Sequence, residues 1–408
     1  MNAEILPPAV VLGLSPTGLH VVRSLGRAGV EVFGVAEGNQ AGQASRYLSQ
    51  VLHETDDERL IDTLLNLAGR LEQDGKPSAI LISSSDQHVE FIAKYAAQLS
   101  EKFVFQESYR DGLAAKIMAK DSFYRLCDAN GIRYPALRET QRADLLSLTG
   151  EIAFPWMVKP AEIHLIKQEM HGEKGWVIRS KEELSRTLPK IPANSGTLLV
   201  QEIVPGPESN ITLCCAYRDA QGNVRQMFSA RKLRQYPPGF GSASLVQSNA
   251  EADSIAATKN LLDAVGYRGI AASEFKRHPE TGELHIIEVN VRPSLWFSIS
   301  EASGRPVVLD AYRDLAGLAP LPDIAQRNGV RWRYALKDIY SMLFYRRNRD
   351  FILPPAEIEA SGAKHSTTSA VFARDDWKPA LAEIGFLLRK AVTRLTAKNS
   401  SADNSGRE

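Results

Sequence analysis

The chain has 408 residues, of which 44% are hydrophobic and 24% are charged, and its formal net charge is +1. The length predicts two or three domains in one compact body, and the composition is that of an ordinary globular protein. The near-neutral charge gives no indication of a nucleic-acid partner, and no uncharged apolar stretch approaches the length needed to cross a bilayer.

The three cysteines, Cys127, Cys214 and Cys215, have no metal-like spacing. Cys214 and Cys215 are adjacent in a predicted strand, so their side chains point in opposite directions. This favours free buried thiols in a reducing compartment. Because the N-terminus lacks a basic region followed by an apolar run, no secretory signal is predicted and the expected location is cytoplasmic.

The first 112 residues alternate short apolar strands with helices. Strands are predicted at 9–13, 30–35 and 79–82, and helical spacing covers 19–28. This alternation predicts a small doubly wound α/β domain over residues 1–112. The turn from Gly13 to Gly18 lacks the tighter Gly-x-Gly-x-x-Gly spacing, and no acid is clearly placed to bind a ribose, so a nicotinamide site is not favoured.

The middle of the chain, residues 113–320, predicts a second domain of two subdomains, 113–200 and 201–320. Helical spacing begins at residue 113 and stops at Asn130-Gly131, which is a helix C-terminal signal. An apolar strand then ends in Lys159. The strand predicted at 197–204 runs into a tight turn before Glu208.

The second subdomain reads as antiparallel strands with one helix. Strands are predicted at 210–217 and 224–230, and a helix at 255–265. Two further strands, at 271–277 and 285–291, form a predicted hairpin.

A C-terminal extension over 321–398 is predicted to be mostly helical. The stretch 331–408 contains 14 Lys and Arg against 9 Asp and Glu, a balance of about +5. This aromatic, basic composition is compatible with a peripheral membrane contact. The favoured prediction is that these helices pack on the body of the protein, with Trp332, Phe344 and Trp377 in its core. The tail at 399–408 is predicted to be disordered.

The strand sequence IIEVNVRP places three polar side chains at alternate positions, Glu288, Asn290 and Arg292. That spacing puts them on one face of a strand. Carboxylate and amide oxygens suit a magnesium ion, and an arginine beside it suits an anion. The hairpin can bring Glu274 opposite Glu288, and two facing carboxylates repel unless a cation lies between them. The alternative is a sheet edge with solvated charges.

Several other residues suit a nucleotide. Lys120, Lys159 and Lys232 stand at strand ends or helix starts and are candidates for phosphate binding, although most lysines are simply exposed. The backbones of Glu202 and Val204 precede a sharp turn and are placed to contact an adenine edge, and Glu208 is placed to accept hydrogen bonds from a ribose.

In this order the motifs resemble the ATP-grasp superfamily, and they are most similar to its carboxylate–amine ligases, the D-aspartate ligase-like and biotin carboxylase-like enzymes. The resemblance covers about residues 9–318 and implies a small N-terminal α/β domain followed by a two-subdomain ATP-grasp fold. It implies ATP as nucleotide, with one or two Mg²⁺ ions for which Mn²⁺ could substitute. It also makes a homodimer plausible.

The resemblance also implies a role for each residue. Phosphate contacts fall to Lys120 and Lys159, adenine contacts to the backbones of Glu202 and Val204, and the ribose to Glu208. The metal ligands are Glu274, Glu288 and Asn290. Arg292 would steady the activated carboxylate, and Lys232 would reach the transferred phosphate, with Arg231 and Arg234 as alternatives.

One region departs from the family pattern. Between Lys159 and Trp176 the family has a mobile loop rich in glycine and serine that covers the phosphates. Here that loop, 161–175, keeps only two glycines. Lys174 is expected to stand in for backbone amides.

The function these features imply is an ATP- and Mg-dependent ligase that joins a small-molecule carboxylate to an amine, or to a thiol, through an acyl phosphate, releasing ADP and phosphate. The alternatives are an ATP-grasp phosphotransferase and a non-catalytic nucleotide-binding protein. Substrates are expected between the N-terminal domain and the grasp, and the candidate lining residues are Ser15, Ser45, Arg46, Ser85, Asp86 and Ser294. Trp296 and Phe297 either wall this pocket or join the core.

Overall fold

A computed structural model describes residues 6–54, 56–161, 175–356, 358 and 366–389. The strands are β1 (Ala9–Leu12), β2 (Val32–Ala36), β3 (Leu48–His53), β4 (Ala79–Ser83), β5 (Phe103–Val104), β6 (Leu137–Thr140), β7 (Trp156–Pro160), β8 (Trp176–Ile178), β9 (Leu198–Glu202), β10 (Ile211–Arg218), β11 (Val224–Tyr236), β12 (Ser242–Ser248), β13 (Gly269–Arg277), β14 (Leu284–Asn290), β15 (Arg331–Arg333) and β16 (Thr367–Ser369).

The α-helices are α1 (Pro16–Arg27), α2 (Asp57–Gln73), α3 (Asp86–Lys94), α4 (Ala96–Ser100), α5 (Glu107–Arg110), α6 (Leu113–Met118), α7 (Lys120–Ala129), α8 (Lys181–Thr187), α9 (Ala252–Val265), α10 (Ser298–Ala302), α11 (Val307–Leu315), α12 (Ala335–Arg347) and α13 (378–389). No helix in these described ranges is long and apolar enough to cross a bilayer.

The N-terminal sheet is parallel, with strand order β3-β2-β1-β4-β5. Residues alternate along the buried strand β1, where Ala9 and Val11 join one hydrophobic cluster and Val10 and Leu12 join another. The strand order reverses between β1 and β4, and ligands of such sheets bind outside the carboxyl ends of the strands at that point. The predicted doubly wound fold is confirmed.

A four-stranded antiparallel sheet, β6-β9-β7-β8, follows along the chain. Its buried face has a hydrophobic cluster of its own, in which Trp156 and Val158 of β7 are fully buried. Because side chains alternate along a strand, Lys159 lies on the opposite face of β7. This sheet therefore presents Lys159 away from its core.

The largest sheet has the order β14-β13-β10-β11-β12-β15-β16, and the predicted hairpin is present as β13 and β14. The C-terminal part adds the short strands β15 and β16 to this sheet, besides its helices. The three sheets use successive stretches of the chain. The exact domain limits at residues 112, 200 and 320 stay a prediction, and the tail at 399–408 lies outside the described residues.

The loop before α13 is bound to the N-terminal domain. Asp376 accepts hydrogen bonds from Arg23 Nε at 2.9 Å, from Ser45 Oγ at 2.7 Å and from the backbone N–H of Arg46 at 2.9 Å. Ser45 and Arg46 were expected to line a substrate pocket. In the structure they hold the C-terminal segment, because a nearly fully buried Asp376 needs donors around it.

The C-terminal aromatic residues divide between core and surface. Trp332 is fully buried and belongs to the largest hydrophobic cluster, as expected. Phe344 is half-buried. The expectation was wrong for Trp377, half of whose surface (50%) is exposed. The cysteines are free and buried, and burial raises the pKa of the Cys127 and Cys214 thiols to about 12, so they stay protonated.

Candidate active site

The β13–β14 hairpin brings the predicted metal ligands together. Glu274 lies directly opposite Glu288, and a register irregularity follows Glu274. Asn290, two residues beyond Glu288, donates from Nδ2 to Glu288 Oε1 at 3.2 Å. Glu274 and Asn290 are buried, whereas the side chain of Glu288 reaches the surface. Two carboxylates and an amide therefore meet at the edge of the largest sheet.

A lysine already compensates one of these carboxylates. Lys232 Nζ, from β11, donates to Glu274 Oε2 at 2.6 Å, and both side chains are buried. The two arginines considered as alternatives to this lysine are used elsewhere. Arg231 pairs with Glu251, and Arg234 donates from Nε to Asp338 at 2.6 Å. Of the three cations only Lys232 reaches the carboxylate pair.

The second carboxylate lacks a full counter-charge. Partial desolvation of the Glu288 carboxylate, together with the negative charge of Glu274, raises the pKa of Glu288 above its ordinary value. A divalent cation between the two carboxylates would relieve this repulsion, and rotation of the Asn290 side chain would present its oxygen instead of its nitrogen. The donor set therefore fits Mg²⁺.

Arg292 is paired with the N-terminal domain. Its Nε and one terminal nitrogen donate to the two carboxylate oxygens of Asp86, each at 2.8 Å. Asp86 is the first residue of α3 and follows β4 at the carboxyl edge of the parallel sheet. The structure thus brings a predicted catalytic residue and a predicted substrate-lining residue into one contact at the domain boundary.

Lys120 lies beside the same strand. It is the first residue of α7 and is exposed. A recess of about 320 Å³ is lined by Lys120, Asp86, Glu90, Glu288 and Asn290, with apolar walls from α6, α7 and β14. One cation and four acceptor side chains therefore line one space, and one of these acceptors, Asp86, also binds Arg292.

The predicted adenine segment lies at the end of β9. The backbone N–H of Glu202 donates to the Ala136 carbonyl at 2.8 Å, and its carboxylate accepts from the Ala136 N–H at 3.1 Å. The N–H of Glu202 is therefore already used and cannot donate to adenine, which would have to be met by acceptor groups of this residue. Val204 is buried just beyond the strand. Its contact with adenine stays a prediction.

Glu208, the predicted ribose-binding residue, is fully buried. It accepts from the backbone N–H groups of Gln235 at 3.1 Å and Gly239 at 2.8 Å. Burial raises the pKa of this carboxyl. Glu208 therefore organises the β11–β12 loop, and its ribose role stays a prediction.

Sequence reasoning missed Lys276. This lysine follows Glu274 by two residues, is 3% exposed, and donates from Nζ to the carbonyls of Gly206 at 2.9 Å and Pro207 at 2.6 Å. Burial lowers its pKa to about 7. The two-residue period was a sufficient signal, because it places Glu274 and Lys276 on one face of β13. Lys276 thus ties the turn before Glu208 to β13, the strand that carries the predicted metal ligand Glu274.

Of the two predicted phosphate-binding lysines at the four-stranded sheet, Lys159 and Lys174, the structure describes only Lys159. Lys159 is half-buried on β7. A side chain at Gly175 would place its Cβ 2.5 Å from the Val158 carbonyl oxygen, so only glycine fits beside this strand. Lys174, with the rest of 162–174, lies outside the described residues.

The remaining candidate substrate-lining residues lie either at the start of a helix or in the core. Ser15 precedes α1 as its N-cap, and Ser85 caps α3, its hydroxyl lying 2.6 Å from His88 Nδ1. The buried Ser294 hydroxyl has no hydrogen-bond partner among the described residues. Trp296 and Phe297 were expected either to wall the substrate pocket or to join the core. In the structure both belong to the largest hydrophobic cluster.

Comparison with known proteins supports this architecture. A D-aspartate ligase from Enterococcus faecium is 27% identical over 247 residues, which are 58% of this chain and 58% of that protein. The N-terminal section of the carbamoyl phosphate synthase large chain from Methanopyrus kandleri is 29% identical over 178 residues, 41% of this chain and 30% of that protein. The chain thus spans less than two thirds of either relative. No protein-family model matches it.

Solved structures are similar over most of the chain. An N5-carboxyaminoimidazole synthetase from Staphylococcus aureus complexed with ADP has a TM-score of 0.58 at 11% identity, covering 79% of this chain and 80% of that chain. An L-amino acid ligase from Bacillus licheniformis has a TM-score of 0.54 at 14% identity, covering 81% and 79%. A biotin carboxylase from Campylobacter jejuni has a TM-score of 0.55 at 15% identity, covering 79% and 74%. Together with the arrangement of β13 and β14, these similarities show that the chain has the ATP-grasp fold of these carboxylate–amine ligases.

Proposed function

We propose that the protein is an ATP-dependent ligase that joins a carboxylate to an amine through an acyl phosphate. The observation that carries this proposal is the convergence of Glu274, Glu288 and Asn290 beside Lys232. A site with two facing carboxylates costs stability unless it serves a cation. The names of two relatives, a D-aspartate ligase and an L-amino acid ligase, make amino acids the first substrates to test.

The chemistry begins with activation of the carboxylate. Its oxygen attacks the γ-phosphorus of ATP, the bond to the β-phosphate oxygen breaks, and ADP leaves. The amine nitrogen then attacks the acyl carbon, phosphate leaves, and the nitrogen loses a proton. The protein contributes mainly position and charge.

The residues of this chain divide that work. Glu274, Glu288 and Asn290 would hold one or two Mg²⁺ ions, which when bound neutralise phosphate charge. Lys120, with Lys159 and Lys174, would bind the phosphates, and Lys232 would reach the transferred group. Arg292 presents a planar fork that suits a carboxylate or a developing oxyanion.

The nucleotide would lie between the two antiparallel sheets. The Glu202 carbonyl and the backbone of Val204 would contact adenine, and Glu208 the ribose. Lys276 fixes the turn that carries Glu208. We propose a cytoplasmic location, and a homodimer as one assembly compatible with this fold.

An ADP-release screen tests the proposal. Purified protein is given ATP, Mg²⁺ and a panel of amino and other carboxylic acids, each with and without amines, and products are identified by mass spectrometry. ADP formation that needs both an acid and an amine, with an amide product, is the expected result. A stable phosphorylated product without an amine requirement would point to a phosphotransferase. Tight ATP binding with no ADP across the panel would point to a non-catalytic protein.

A further inference from the structure

Helix α12 has its polar and apolar faces reversed. Its buried side chains are Asp338, Ser341 and Tyr345. Asp338 is fully buried and accepts hydrogen bonds from Arg234 Nε at 2.6 Å and from Arg333 Nε at 2.5 Å. The inward face is therefore held by ion pairs, where a surface helix ordinarily buries an apolar stripe.

The outward face of α12 is apolar. Leu336 is 51% exposed, Ile339 43%, Tyr340 56% and Leu343 43%. These positions follow the spacing i, i+3, i+4 and i+7, so they form one stripe along the helix. Single exposed leucines need no explanation, but a continuous apolar stripe opposite a buried polar face indicates a binding surface.

Helix α13 carries a second stripe beside the first. Leu381 is 58% exposed, Ile384 50% and Leu388 63%, and Trp377 precedes them at the same helical spacing. The two helices touch, because the Tyr334 hydroxyl at the start of α12 donates to Glu383 in the middle of α13. The two stripes thus belong to adjoining elements of the C-terminal part.

Basic side chains border this apolar surface. Arg346 and Arg347 end α12 and Arg349 follows it, whereas Arg374 precedes α13 and Lys378 begins it; all five are exposed. None of the five makes an ion pair with a described residue. Of the acidic groups close to them in the chain, Asp375 pairs with Arg27 and Glu383 binds Tyr334, whereas the exposed Asp350 makes no ion pair with a described residue. Five cations against this one carboxylate leave the border with a net positive charge.

We propose that α12 and α13 dock on the surface of an anionic lipid bilayer. Such a surface offers an apolar interior for the two stripes and negative head groups for the basic border, and it requires no membrane-spanning segment. Tyr340 and Trp377 have the amphipathic rings that favour the boundary between head groups and acyl chains. A second copy of this chain would match the apolar stripes but would supply the same basic border.

Vesicle flotation of the full chain tests this proposal. Vesicles of phosphatidylcholine with about one third phosphatidylglycerol should bind the protein at low salt, and vesicles of phosphatidylcholine alone should not. The triple variant L336S/I339S/L343S should lose binding. The double variant R346Q/R347Q should bind roughly thirtyfold more weakly, because each basic residue near an anionic bilayer surface raises the affinity by about fivefold.

A matched control comes from exposed apolar residues elsewhere. Leu146 is 41% exposed and Ile324 57%, so the variant L146S/I324S removes comparable surface outside the two helices and should bind like the unaltered chain. Thermal unfolding of all variants checks that they fold. Trp377 fluorescence should shift to the blue on binding, and the shift should be absent in Trp377→Phe.

Two results would overturn the proposal. One is equal flotation of the unaltered chain and the L336S/I339S/L343S variant, or no flotation of either with anionic vesicles. The other is that light scattering shows a dimer for the unaltered chain and a monomer for this triple variant, while the unaltered chain does not bind anionic vesicles. In that case a second copy of the chain covers the stripes.

Discussion

Arg292 and Asp86 join the end of strand β14, which carries the predicted metal ligands Glu288 and Asn290, to the N-terminal domain by two parallel hydrogen bonds of 2.8 Å, across 206 positions of the chain. The Arg292 side chain is largely buried, whereas Asp86 is about half exposed. A planar guanidinium held this way is already oriented before a substrate arrives. Asp86 therefore acts as a positioning residue in the proposed reaction, and Arg292 as the group that meets the carboxylate.

Replacing Arg292 by lysine tests this division of roles. The charge remains but the fork is lost, so we expect kcat/KM for the carboxylate to fall by about 100-fold or more. Asp86→Asn keeps Arg292 but loosens it, and we expect about a tenfold rise in KM with a smaller change in kcat. Steady-state ADP release measures both.

The control is a comparable ion pair at the surface. Lys94 pairs with Asp57 in the same domain, and both are well exposed, so Lys94→Ala should leave kcat/KM unchanged. If Arg292→Lys kept activity within a factor of about two, the carboxylate would be bound elsewhere.

Glu288→Gln tests the metal site. The amide removes the negative charge that a divalent cation needs, so ATP-dependent turnover should fall by about 100-fold or more, with a higher Mg²⁺ requirement. The matched variant is Glu283→Gln in the same hairpin, where the Glu283 side chain is 40% exposed and pairs with Arg133. Full activity of Glu288→Gln would remove the basis of the proposed function.

The same carboxylate predicts how Mg²⁺ affinity depends on pH. Desolvation and the charge of Glu274 raise the pKa of Glu288 above 4.5, and a ligand must be deprotonated to bind a metal. On acidification the apparent Mg²⁺ affinity should therefore begin to weaken at a higher pH than an ordinary glutamate ligand would allow. Mg²⁺ titrations followed by ADP release measure this, and an affinity that weakens only below about 4.5 would contradict it.

The convergence of Glu274, Glu288 and Asn290 was predictable from sequence because it depends on residues close together in the chain. Alternation in β14 places Glu288 and Asn290 on one face, and a short hairpin leaves few registers in which Glu274 can oppose them. Lys276 followed from the same period and was overlooked. The Asp86–Arg292 contact was not predictable as a pair, since it depends on how a domain folded from the first 112 residues docks on the sheet. The burial of Glu208 depends likewise on backbone donors that are distant in the chain. The reversed faces of α12 depend on the ion pairs of Asp338, which also join separate parts of the chain.

Lys276 predicts a pH dependence of stability. Its pKa is lowered to about 7 by burial, whereas an unfolded lysine titrates near 10.4. Between these values the unfolded chain binds the extra proton, so the free energy of unfolding should rise with pH by about 1.4 kcal/mol per unit from about 7 to about 10. Below about 7 both states are protonated and this contribution is flat.

Urea denaturation across this range measures the slope. Lys276→Met removes the titrating group and should reduce the rise. Lys259→Met, at an exposed position of α9, should retain it. An identical pH profile for Lys276→Met and the unaltered chain would show that Lys276 keeps an ordinary pKa.

Two adjacent aspartates anchor the C-terminal segment with different strength. Asp376 is buried and faces the buried Arg23, whereas Asp375 pairs with Arg27 at the surface. Asp376→Ala leaves the Arg23 charge buried without its partner, so it should lower the free energy of unfolding by about 3–5 kcal/mol. Asp375→Ala should cost about 0–1 kcal/mol, because solvent screens an exposed pair. Urea midpoints of the two variants measure the difference, and equal losses would mean that burial does not set the strength of this anchor.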